Sequence, residues 1–258
     1  MDLDIAKQRT NRFLRRVGID LTRLTQGDGL SDADHQTLHA VQDFTMTSPE
    51  RVAALCDATR YLVRNGIGGD IVECGVWRGG SMMAVARTLV QLGDTSRELF
   101  LYDTYTGMTD PTDADADAHG RTAWRGMNRF GRDDAGHSKW CNASLEDVTA
   151  NIASTGYPMA QCHFVVGPVE DTIPATLPGD VALLRLDTDW YESTRHELLH
   201  LFPLVVPNGV LVLDDYGHWQ GARRAVDEYF EKCQHAPLLN RIDYTGRIAI
   251  IPGGGPRT

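Results

Sequence analysis

Short apolar runs alternating with amphipathic stretches predict an α/β fold: a mostly parallel sheet with helices on both faces. Three observations carry this. Five apolar runs, beginning at Asp70, Leu99, His163, Val181 and Gly209, have strand length. Helical periods separate most of them, as crossover connections between parallel strands require. A last pair of runs, Asn240–Tyr244 and Arg247–Pro252, closes around Thr245-Gly246 as an antiparallel edge hairpin.

The elements follow in order. Ala6–Val17 reads as helical and Gln26–Asp34 as a Gly/Asp-rich break, so residues 1–43 form an N-terminal helical arm ahead of a core at 44–258, all one domain. Ser48 is an N-cap, Pro49 suits the first helical position, and Glu50 favours the positive end of the dipole. Leu55, Ala58, Leu62 and Val63 share one face, and Asn65-Gly66 ends that helix. Strand Asp70–Cys74 leads through Gly75–Gly80 into helix Ser81–Leu92, and Leu99–Asp103 is the second strand. Residues 104–142 lack a period and form a lid or substrate insertion. Ser144–Ser154 is a helix, with strands His163–Gly167 and Val181–Asp187 after it. Helix Glu192–Leu201, strand Gly209–Asp215 and helix Ala222–Cys233 complete the alternation.

The 258 residues hold 25 Lys plus Arg against 35 Asp plus Glu, a formal charge of −10. That excess argues against nucleic-acid or anionic-membrane partners, which need basic surfaces. No apolar run reaches the ~20 residues of a membrane helix. Met1–Arg16 has no apolar leader core, and the five cysteines are scattered without a C-x-x-C pair, so the expected setting is the cytoplasm.

In sheets of this kind ligands sit beyond the carboxyl ends of the strands. Four constellations fall there. Glu73-Cys74-Gly75-Val76-Trp77-Arg78-Gly79-Gly80-Ser81 is neither a dinucleotide fingerprint nor a P-loop. Its Glu73 would repel a pyrophosphate but attract an ammonium, which favours a cationic or zwitterionic cofactor. Asp103 ends the second strand, where an acid can accept both hydroxyls of a ribose. Glu170 follows the third strand. Asp187 and Asp189, with Asp214-Asp215, bring carboxylates to adjacent strand ends. A hard divalent cation would relieve their repulsion, and all-oxygen donors favour Mg²⁺ or its like over zinc. For each acid a cap or turn role is the structural alternative. His218 and His137 are candidate proton acceptors, and Trp124, Trp140, Trp190 and Trp219 are candidate stacking surfaces.

Together with Thr45-Met46-Thr47-Ser48, Tyr102-Asp103-Thr104-Tyr105-Thr106-Gly107-Met108, Leu186–Thr194 and Asp214–Trp219, these motifs resemble the macrocin O-methyltransferase (TylF-like) family, from about Phe44 to Pro252. The resemblance implies a class I methyltransferase with a Rossmann-like seven-stranded sheet, using S-adenosylmethionine and Mg²⁺ to methylate a hydroxyl, commonly on a sugar of a glycoside. It implies a homo-oligomer. By this match Asp187, Asp214 and Asp215 hold the metal. Thr45, Met46, Ser48, Glu73, Gly75, Ser81, Asp103, Thr104, Glu170 and Asp187 form the cofactor pocket. Asp189 matches the position proposed as general base in part of the family, with His218 as the other catalytic candidate. Phenol- and catechol-type relatives place a Lys near Asp189, and a phenolic O-methyltransferase on the same fold is the competing reading. A cofactor-binding protein without catalysis would not need the intact acid set.

Overall fold

Residues 30–253 are described in a computed structural model, and the helical patch expected at Ala6–Val17 lies outside them. The chain divides after His35 into a short N-terminal unit and the body. In the first, Ser31 and Asp34 cap each other reciprocally at the start of α1 (Asp32–Val41).

In the body the capping signals act as read. Ser48 is extended and accepts from the Arg51 N–H, starting α2 (Pro49–Arg64). Strand β1 (Asp70–Cys74) runs into α3 (Gly80–Leu92), then β2 (Leu99–Asp103). Two short helices follow, α4 (Trp124–Phe130) and α5 (Leu145–Ala153), the second capped by Ser144 accepting from Asp147 N–H. Next come β3 (Cys162–Val166), the single-turn α6 (Val169–Thr172), β4 (Val181–Leu186) and α7 (Tyr191–His200). The chain finishes with β5 (Val205–Leu213), α8 (Gln220–Glu231), β6 (Asn240–Arg241) and β7 (Arg247–Ile250).

The seven strands form one sheet in the order β3-β2-β1-β4-β5-β7-β6. The first five are mutually parallel, and β7 runs antiparallel to both β5 and β6. This is the seven-stranded, Rossmann-like class I methyltransferase sheet. Strand order reverses between β1 and β4, which puts the ligand crevice at their carboxyl ends.

Strand side chains alternate between faces. Val72, Cys74, Leu184, Leu186, Leu211 and Leu213 join Leu198, Phe202, Val226 and Phe230 in one buried cluster, the α7–α8 side of the sheet. The intervening Glu73 and Arg185 belong to the other face, where Arg185 meets Thr47 just ahead of α2. Each fully buried aliphatic side chain contributes about 1.5–3 kcal/mol relative to exposure, so a charge in this layer needs a partner of its own.

One strand boundary is corrected. The fifth strand starts at Val205, not Gly209. Pro207-Asn208-Gly209 reads as a turn, but the sheet absorbs it as a register shift opposite Val181–Leu183. The insertion at 104–142 has order that no period announces. Asp115 accepts from Thr112 N–H and Tyr191 N–H, Asp117 from His119 N–H and Arg121 N–H, and Asp133 from Ala135 N–H and His137 N–H. Its acids build turns.

Candidate active site

Beyond the carboxyl ends of β1, β2, β4 and β5 lies a cavity of about 330 Å³. Thr45, Met46, Gly75, Ser81, Asp103, Thr104, Glu170, Asp187, Asp189, Asp214, Asp215 and His218 all line it. Residues as far apart as Thr45 and His218 are thus gathered at one end of the sheet by the strand ends and the segments next to them.

Gly75 makes a close backbone approach to the strand next to it. Its φ is +81°, and a Cβ there would lie 2.1 Å from the Asp187 carbonyl oxygen. Only glycine accepts both conditions. Asp103 holds the same loop from the next strand: Oδ2 accepts from Val76 N–H (2.6 Å) and Trp77 N–H (3.0 Å), and Oδ1 from Tyr105 N–H (2.8 Å). Oδ2 is thereby filled by two N–H donors, and Oδ1 keeps a lone pair for a ligand hydroxyl. Glu170 Oε1 accepts from Ser193 Oγ at 2.7 Å.

Asp187, Asp214 and Asp215 present carboxylate oxygens within 4.8 Å of one another. Burial, and then repulsion within the cluster, hold Asp187 and Asp215 well above the usual carboxylate range, although Arg185 pulls Asp187 the other way. At an effective dielectric near 20, two like charges 4 Å apart cost about 4 kcal/mol. Asp189 stands beside them at φ +70°, with the Trp190 N–H donating to Thr188 O at 2.8 Å. A non-glycine residue in so tight a turn is strained, and strain of this kind concentrates at functional sites. Burial first, then Asp187, push the Asp189 carboxyl up to about 8. That is far from the ordinary value of about 3.9 and closer to what a base needs at neutral pH.

His218 Nδ1 is 3.4 Å from Tyr244 Oη, and its ring meets Trp219 edge-on at 4.9 Å. Burial lowers its pKa, keeping it neutral. Trp140 and Trp219 line the cavity, with Trp190 packed behind them at 5.8 and 5.1 Å between centroids. Trp124 is 37% exposed and lies outside the lining. So does His137, whose Nδ1 is 3.5 Å from Asp133.

Two residues expected at the cofactor pocket do not line this cavity. Ser48 is committed to capping α2 and donates Oγ to Asp243 Oδ2 at 2.7 Å, so it does not line the cavity. Glu73 is 1% exposed and does not line the cavity. Its Oε1 accepts from Arg185 Nη1 at 2.6 Å, and Oε2 has no partner. Burial, only partly offset by Arg185, raises it to about 7.

Sequence reasoning passed over the two arginines of the site. Arg185 Nη2 reaches Asp214 Oδ1 (2.6 Å), Asp187 Oδ2 (2.9 Å) and Thr47 Oγ1 (3.2 Å). Arg51 Nη1 pairs with Asp214 Oδ2, and its Nε lies 2.9 Å from Asp243 Oδ2. The available signal was a lone charge within the apolar run Val181–Leu186, which a buried strand does not tolerate unpaired.

A doubly wound sheet in this order, with glycine-turned β1, an acid clip at β2 and carboxylates at β4 and β5 around one crevice, defines a class I S-adenosylmethionine-dependent methyltransferase. The chain belongs to the macrocin-O-methyltransferase (TylF) family, whose pattern it matches over residues 32–248. It is 33% identical over 224 residues (85% of this chain, 81% of the relative) to 8-demethyl-8-(2,3-dimethoxy-alpha-L-rhamnosyl)-tetracenomycin-C 4'-O-methyltransferase of Streptomyces olivaceus. It is 30% identical over 202 residues (78% and 73%) to demethyldecarbamoylnovobiocin O-methyltransferase of Streptomyces niveus. The solved O-methyltransferase NovP superposes with a TM-score of 0.68 at 30% identity, covering 81% of this chain and 82% of that one. The protein is therefore an S-adenosylmethionine-dependent O-methyltransferase acting on a small-molecule hydroxyl. No helix among the described residues is long and apolar enough to cross a membrane.

Proposed function

We propose that this enzyme methylates a sugar hydroxyl of a glycoside or oligosaccharide precursor and that it depends on Mg²⁺. The carrying observation is the convergence of Asp187, Asp214 and Asp215 within 4.8 Å. Three carboxylates at this spacing, two of them raised by burial and then by repulsion within the cluster, suit a hard dication and leave coordination positions for water or acceptor oxygens. When bound, such an ion lowers the pKa of a coordinated hydroxyl. The sugar assignment is supported by the rhamnosyl group in the tetracenomycin relative's name.

The chain's own groups do the remaining work. Asp103 and Glu170 orient the cofactor, with Gly75 and Ser81 beside it and Thr45–Met46 closing one wall. Transfer forms the oxygen–methyl bond as the methyl–sulfur bond breaks, with the electron pair left on sulfur. Asp189 receives the hydroxyl proton, and His218, kept neutral, is the second acceptor within the same wall. Trp140 and Trp219 exclude water. Holding the reacting atoms near one line supplies most of the rate.

The test is methyl transfer to rhamnosyl glycosides and to catechols, each with Mg²⁺ and with chelator. Glycoside methylation that chelator abolishes and Mg²⁺ restores is expected. Equal rates in chelator, or a preference for catechols, would overturn the reading.

A further inference from the structure

Asp214 has both carboxylate oxygens engaged by cations. Oδ1 takes Arg185 Nη2 at 2.6 Å, Oδ2 takes Arg51 Nη1, and Thr47 Oγ1 lies 3.1 Å from each. Its side chain is 5% exposed. Asp187 is paired with Arg185 alone, and among the described residues no arginine or lysine pairs with Asp215. Of the three triad acids, Asp214 is the one that cannot reach a dication without loosening a guanidinium.

The surroundings decide which guanidinium yields. Arg185 is 4% exposed, sits on a central strand and also serves Glu73 and Asp187. Moving it would leave Glu73, which already has one unpartnered oxygen, as a bare buried charge. That costs several kcal/mol. Arg51 stands on the first turn of α2 at the cavity wall. Its Nε is anchored to Asp243, which is itself fixed by Ser48 Oγ and by the Thr245 and Gly246 N–H groups. The outer nitrogen of Arg51 can swing off Asp214 while the side chain keeps a salt bridge.

We propose that Arg51 is a resident counter-cation of Asp214 that a divalent ion displaces on entering the triad, so that ion binding and the seating of the 44–51 cavity wall are coupled. The inference rests on the triad reading above and adds the residue that sets its affinity. Thr47 and Arg51 both hold this wall against Asp214, so the ion weakens both contacts, and by linkage the wall weakens the ion to the same degree. A mere buttress would act with the opposite sign: removing it would disorder Asp214 and weaken the ion.

The test is Mn²⁺ binding to the full chain without cofactor, read as free Mn²⁺ by electron paramagnetic resonance. Arg51→Met is expected to bind about tenfold more tightly than wild type, equivalent to about 1.4 kcal/mol. Arg51→Lys, which keeps the charge, should stay near wild type, and Asp187→Ala should lose binding. Should Arg51→Met fail to melt cooperatively, Arg51→Gln replaces it. In the wild type, Mn²⁺ should speed hydrogen exchange at the Thr47 and Arg51 amides, and it should not do so in Asp187→Ala. Wild type that binds no Mn²⁺ overturns the triad reading and this inference together. Wild type that binds, with Asp187→Ala silent but Arg51→Met unchanged or weaker, overturns this inference alone. So does Arg51→Lys binding as tightly as Arg51→Met, or exchange that Mn²⁺ leaves unaltered.

Discussion

Glu73 and Arg185 are register partners across β1 and β4, with Nη1 2.6 Å from Oε1 and both side chains almost sealed from solvent. The pair joins β1 to β4 next to the crevice. Removing one partner leaves the other charge buried, at about 3–5 kcal/mol. Arg185→Met should therefore lower the unfolding free energy by that amount in urea titrations. The double variant Glu73→Gln/Arg185→Met should recover the Glu73 share of the loss, with the Asp187 and Asp214 share remaining, and a double variant no better than the single would refute the Glu73 pairing as a cause.

The same pair predicts a pH dependence. Glu73 is raised in the folded chain to about 7 from an ordinary 4.5. A raised carboxyl binds its proton more tightly when folded, so its contribution is complete below pH 4.5 and lost as pH climbs through 7. The size is roughly 3 kcal/mol. Subtracting the stability–pH curve of Glu73→Gln from that of wild type should show this fall between pH 4.5 and 7. A flat difference would remove Glu73 from the titration.

Asp189 lines the cavity from a strained turn, with its carboxyl raised to about 8. Asp189→Asn keeps the shape and removes the proposed base. Turnover should drop about 10²–10⁴-fold, while S-adenosylmethionine affinity measured by calorimetry stays within about a factor of three, because Asp103 and Gly75 are untouched. An unchanged turnover would transfer the role to His218, testable with His218→Gln.

Asp187 spans both halves of the site, with its backbone N–H on Cys74 O (2.8 Å) and its side chain in the triad. Asp187→Ala should cut transfer by about two orders of magnitude or more. Circular dichroism should be unchanged, since the backbone bond does not need the side chain. Residual activity equal to wild type, and indifferent to chelator, would dissociate the triad from the reaction.

Why some of this was legible is a matter of range. Asp103, Asp187 and Asp214-Asp215 end apolar runs, and an acid at a strand's carboxyl end is already at the crevice. Glu73 is one residue short of its strand end, so the pleat turns it under the sheet toward Arg185. No local pattern announces that pairing across 112 positions. Ser48 was legible as a cap from the run Ser48-Pro49-Glu50, and its hydroxyl is engaged there and with Asp243. The insertion was opaque because its order comes from aspartates accepting main-chain N–H groups, which leaves no hydrophobic period to detect.

Gly75 allows a prediction with an internal control. Gly75→Ala places a methyl group 2.1 Å from the Asp187 carbonyl oxygen at φ +81°. Gly136 has a similar φ of +84° in the insertion, with nothing within 4 Å of the added carbon. Both variants carry the left-handed penalty of about 1–2 kcal/mol, and only the first also forces β1 and β4 apart at the crevice. Gly136→Ala should lose about that much stability and keep its cofactor affinity. Gly75→Ala should lose clearly more stability and bind S-adenosylmethionine at least about tenfold more weakly, because the loop carrying Val76 and Trp77 must shift off Asp103. Thermal unfolding and calorimetry on the two variants separate the effects. Equal behaviour would mean that the close approach of Gly75 to Asp187 does not shape the cofactor site.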